Sequence, residues 1–65
     1  MVKIKTELIR HTLAERKIPM TQAAQEAGVS YGNFCEIMKR GTCNGTTLGK
    51  LARFCGVKAY EMVDV

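Results

Sequence analysis

A chain of 65 residues holds a single domain, 1–65, and a domain of that size buries only about 60% of its unfolded surface, so its core is thin. Hydrophobic residues at 46% with aromatics at 6% and no Trp fit a small helical core better than a β-sandwich, and a lone Pro with no low-complexity stretch argues against a disordered linker. Ten Lys and Arg against six acids leave a net charge of +4, which favours a polyanionic partner, while the lack of any apolar run near about 18 residues excludes a bilayer span.

In chain order the pattern predicts five short helices and no secure strand, hence an all-α fold. Val2 and Ile4 alternate with Lys3 and Lys5, which reads as a short strand or as an extra helical turn. The first helix is expected from about Thr6 to Lys17, with Thr6 as N-cap and Glu7 at the positive end of the dipole. Leu8, Ile9, Thr12 and Leu13 form its buried stripe. Pro19 ends it, because the residue before a proline is pushed out of the α region.

The second helix runs from about Met20 or Thr21 to Ala27, where Gly28 stops it. Ser30 caps the third, Tyr31 to Arg40, whose inward positions are Phe34, Ile37 and Met38. Gly41-Thr42-Cys43-Asn44-Gly45 is dense in turn residues. Thr46 or Thr47 caps the fourth helix, with Leu48, Leu51, Ala52 and Cys55 buried, Phe54 at the edge and Gly56 as the stop. Lys58 to Val63 makes a fifth, with Ala59, Met62 and Val63 turned inward.

The stretch Met20 to Lys39, MTQAAQEAGVSYGNFCEIMK, carries the functional signal. Ala24 permits two helices to cross closely. Gly28 supplies a positive φ without a Cβ penalty, and Val29 plugs the corner. Phe34 and Ile37 anchor the third helix. Its other face then holds Ser30, Tyr31, Asn33, Glu36, Lys39 and Arg40, polar and basic towards its end.

This segment resembles the helix-turn-helix of the Cro/repressor family of transcriptional regulators. The residues that carry the likeness are Ala23, Ala24, Ala27, Gly28, Val29, Phe34 and Ile37. It extends to Leu48-Gly-Lys-Leu-Ala-Arg-Phe-Cys-Gly-Val57, similar to the family's fourth helix and turn, and covers Leu8 to Val63. The resemblance implies a five-helix, lambda-repressor-like DNA-binding domain. Its third helix would lie in the major groove, which displays a distinct donor and acceptor pattern for each base pair.

On that reading Ser30, Tyr31, Gly32, Asn33, Glu36 and Lys39 face the bases. Asn33 suits adenine or a phosphate, Lys39 guanine or a phosphate, and Glu36 a cytosine amino group. Tyr31 suits a thymine methyl or the backbone. Thr21 and Gln22 open the second helix, whose free N–H groups suit a phosphate. Arg40, and Asn44 to Thr47 including Thr46, would add positioning contacts. Met20 stands where the family usually has a residue able to pair with a base, and it cannot do so. Lys3, Lys5, Arg10, Lys50 and Arg53 read as solvated, with Arg10 the best of them for a phosphate.

The expected partner is therefore double-stranded DNA, bound by a repressor that pairs as a homodimer through the fifth helix and tail, Tyr60 to Val65. One alternative is a protein-interaction module such as a helix-turn-helix antitoxin working through a protein partner. Another is a nonspecific nucleic-acid binder. No membrane association is expected, and MVKIKTELIR lacks the apolar block of a signal peptide. The odd number of cysteines fits a reducing, cytoplasmic setting. Cys35, Cys43 and Cys55 with one His make no metal site; Cys35 and Cys55 read as buried and Cys43 as a loop thiol. No nucleophile–base set or acid pair is present, so no enzyme and no cofactor are expected. With no C-terminal extension to sense a ligand, regulation would fall to abundance, a partner or the dimer.

Overall fold

The computed structural model describes residues 1–64. It contains five helices and a sheet of two short strands, in the order β1 (Val2–Lys3), α1 (Thr6–Arg16), α2 (Met20–Ala27), α3 (Tyr31–Arg40), β2 (Thr42–Cys43), α4 (Gly45–Cys55) and α5 (Ala59–Met62). No described helix is long and apolar enough to cross a membrane.

Helix α1 starts without a side-chain cap: Lys5 occupies that position, and Thr6 lies in the first turn, its Oγ1 accepting from Arg10 Nη1 at 3.4 Å. The expected cap at Thr6 is thus corrected. Lys17 also leaves the helix, taking a left-handed conformation at φ 54° with its N–H bonded to Leu13 O. Pro19, two residues on, disfavours continuation. The left-handed glycines expected after α2 and α4 are present, Gly28 at φ 81° and Gly56 at φ 76°. Both turns close by paired bonds: Gly28 and Val29 donate to Ala24 O, and Val57 donates to Ala52 O.

Helix α4 begins earlier than expected. Asn44, not Thr46 or Thr47, is the cap, its Oδ1 accepting from Thr47 N at 2.8 Å. The last helix is shorter than expected, with Lys58 and Val63 flanking it in extended conformation.

The largest departure from the all-α expectation is the sheet. β1 pairs antiparallel with β2, Val2 opposite Cys43 and Lys3 opposite Thr42. On its other side Ile4 bridges to Val63, Lys5 N donates to Met62 O and Asp64 N to Lys3 O. The N-terminal strand is thereby held between β2 and the chain's far end.

Phe34, Ile9, Leu51 and Met62 are the largest fully buried side chains, and Ala23, Ala24 and Ala27 let α2 lie close against its neighbours. Burial differs from the sequence reading at several positions. Cys43 is buried and Cys35 and Cys55 are only half-buried, because β2 turns Cys43 into the core. Phe54 is buried rather than at the edge, with the Arg16 guanidinium 4.9 Å from its ring centre. Ala59 is exposed, and Leu8, Thr12, Leu13, Val29, Met38, Val57 and Val63 are half-buried around the core.

Candidate nucleic-acid interface

The outward face of α3 is built by the two ends of its sequence pattern. Ser30 stands in extended conformation before the helix, and its Oγ accepts from the backbone N–H of Asn33 at 3.3 Å. The Asn33 side chain stays out of the cap. Phe34 and Ile37 are buried, which fixes the rotation of the helix. Tyr31, Gly32, Asn33, Glu36, Lys39 and Arg40 are consequently all exposed, Tyr31 at 51% despite its size. Neither Lys39 nor Asn33 is drawn into the core.

Two of the expected contact residues engage each other. Arg40 donates from Nε and Nη2 to the same Glu36 oxygen, at 3.2 and 3.0 Å. This pair offsets the charge of Glu36, the one acid on the outward face of α3. Lys39 has no carboxylate partner among the described residues, so its charge is the most available on α3. The Cys35 thiol, one turn from Tyr31, raises the Tyr31 phenol above its ordinary value by hydrogen bonding and electrostatics.

Helix α2 presents its N-terminus near this face. Pro19 offers no side-chain cap and Ala23 N is the group that bonds back to Pro19 O at 3.0 Å, so the first-turn N–H groups at Met20, Thr21 and Gln22 remain open. Thr21 and Gln22 are exposed; Gln22 Nε2 donates to Glu26 Oε2 at 2.9 Å. Met20 is half-buried.

The segment after α3 divides. Asn44 and Thr46 are exposed, but the Asn44 amide oxygen is held by the α4 cap. Thr47 is only 7% exposed, so burial, not exposure as a positioning contact, describes its side chain. A small hollow of about 50 Å³ joins Asn33, Glu36, Arg40 and Asn44 with Met1 and Thr42. Met1 and Thr42 had no local signal in the sequence: β pairing delivers both, and Thr42 Oγ1 lies 3.8 Å from Met1 Sδ.

Comparison of the chain with protein-family models, with curated proteins and with solved structures gave no match.

Proposed function

We propose that this chain is a sequence-specific double-stranded DNA-binding regulator of transcription, a repressor built on a helix-turn-helix of the Cro/repressor type. The carrying observation is that burial of Phe34 and Ile37 turns Tyr31, Asn33, Glu36 and Lys39 outward together on one short helix. Such a helix fits the major groove, about 12 Å wide. Asn33, in the first turn, is the residue suited to reading a base edge. Lys39, without an ion-pair partner among the described residues and farther along, suits a phosphate. The uncapped start of α2 suits the phosphate of the flanking backbone, its N–H groups and dipole favouring an anion.

A single module of this size reads few base pairs, so the repressor would act as a homodimer on half-sites about 34 Å apart. Tyr60, 71% exposed on α5 and in the proposed pairing segment Tyr60 to Val65, supplies an apolar anchor there; Val65 lies outside the described residues. Selection of sites from a random duplex pool tests the reading. Enrichment of one sequence bound about 10³-fold or more tighter than random duplex supports it. Equal binding to all duplexes, or none, sinks it.

A further inference from the structure

Beside the outward face of α3 runs an open groove of about 460 Å³, lined by Leu13 of α1, Met20 of α2 and Cys35 and Met38 of α3, with Arg10 and Lys39 completing it. The four apolar or thiol side chains are half-buried, and the two cations are exposed. The lining is mostly apolar with two polar groups at its edge, the composition of small-molecule sites, though the groove is open to solvent along its length. Two methionines make the lining adaptable to an irregular apolar body. No acid lines the groove.

Arg10 and Lys39, like every cation except Arg16 and Arg40 (3.7 and 3.0 Å from Glu26 and Glu36), have no ion-pair partner among the described residues, so no acid competes for them. An apolar trough flanked by two exposed cations complements a molecule with an apolar body and one carboxylate. We infer that this groove binds small alkyl carboxylates, the chain lying over Leu13, Met20 and Met38 and the carboxylate shared by Arg10 and Lys39. On the DNA-binding reading, Lys39 serves both ligands, so a bound carboxylate takes it from the duplex and lowers DNA affinity; that consequence rests on the function proposed above, and by linkage DNA lowers carboxylate affinity equally.

Cys35 reports occupancy directly, because its thiol lines the groove while Cys55 lies outside it. The test alkylates the free protein with iodoacetamide, without DNA, and maps both thiols by mass spectrometry. Decanoate below its micelle concentration is the probe and decanol its uncharged control. Decanoate is expected to slow labelling of Cys35 and not of Cys55, and to do so about fivefold more tightly than decanol, the size of an exposed ion-pair effect. The double variant Arg10→Ala, Lys39→Ala, checked for folding by circular dichroism, should lose that preference. No protection, equal protection at Cys35 and Cys55, or equal binding of decanol overturns the site. So does Cys35 protection that rises with protein concentration alone, since a second copy would then fill the groove.

A duplex titration with decanoate present is read separately, with about a fivefold loss of DNA affinity expected. Unchanged DNA affinity at saturating decanoate overturns the coupling. A protein that shows Cys35 protection but binds no duplex at all strikes the DNA-binding reading and leaves the carboxylate site standing.

Discussion

Asn33 and Lys39 share a face but differ in what surrounds them. Asn33 sits in the first turn of α3 with its backbone N–H fixed by Ser30, which leaves the amide pointed by the helix and not by its own bonds. Replacing it by Ala should cost about 1–3 kcal/mol at one base-pair position and relax preference there, measured by competition among single-site duplex variants. Lys39, near the end of α3, has no ion-pair partner among the described residues, so Lys39→Ala should weaken binding to every duplex alike and reduce the slope of log affinity against log salt by about one. Gly32 directly precedes Asn33 on the same helix. A Cβ there would meet nothing within 4 Å, and its φ is not in the left-handed region. Gly32→Ala is therefore expected to stabilise the fold by about 0.5–1 kcal/mol in urea unfolding. It should also weaken DNA binding, because the added methyl projects from the proposed groove-facing surface. Gly49 on α4 is equally open, and Gly49→Ala should likewise stabilise the fold by about 0.5–1 kcal/mol.

At the scale of elements, caps decide where helices begin. Ser30 before α3 was readable, since a hydroxyl directly ahead of the inward pair Phe34 and Ile37 has one evident use. The start of α4 was not. Two threonines followed a turn-rich stretch and either looked able to cap, yet Asn44 sits three residues ahead of Thr47 and takes its N–H. At Thr6, likewise, a good capping residue stands one position inside the helix. These assignments separate in unfolding experiments: Ser30→Ala and Asn44→Ala should each cost about 1 kcal/mol. Thr6→Ala and Thr46→Ala, which remove no cap, should stay within about 0.5 kcal/mol. Comparable losses at Thr46 and Asn44 would contradict the observed start of α4.

For the whole molecule, the N-terminal strand ties the two ends of the domain to its middle. Ile4 is 4% exposed and its backbone N–H bonds Gly41 O at 2.9 Å, so it joins the core although it precedes every helix. Ile4→Ala should cost about 2–5 kcal/mol, a large share of the stability of so small a domain, and would show as a lowered midpoint in urea. The same strand pairing buries Cys43, and burial raises the Cys43 thiol, with Cys55 raised for the same main reason. A group whose folded value lies above its unfolded one favours folding while protonated, and that contribution is lost as pH climbs through the folded value. Stability should thus decline on the alkaline side of 9.0, the ordinary thiol value, and the decline should be smaller in a Cys43→Ala, Cys55→Ala variant than in the parent. Dimerisation through α5 belongs to this scale as well. A monomer in sedimentation at high concentration, with and without its duplex, would remove it.

What local chemistry dictates could be read directly from the chain. Glycines at 28 and 56 can turn left-handed at little cost, Pro19 ends α1, Ser30 caps α3, and a spacing of three assigns Phe34 and Ile37 inward; each involves only neighbours along the backbone. The packing of the five helices followed from those choices, and with it the exposure of Tyr31, Asn33 and Lys39. What folding alone decided rests on partners about 40 or more residues apart: β1 with β2, Ile4 with Val63, and the inward turn of Cys43. Strands of two residues have too short a pattern to declare themselves, and their hydrogen bonds exist only once the helices have brought the segments together. The groove between α1, α2 and α3 is of the same origin, since Leu13, Met20, Cys35 and Met38 belong to three helices and share a wall only after those helices pack.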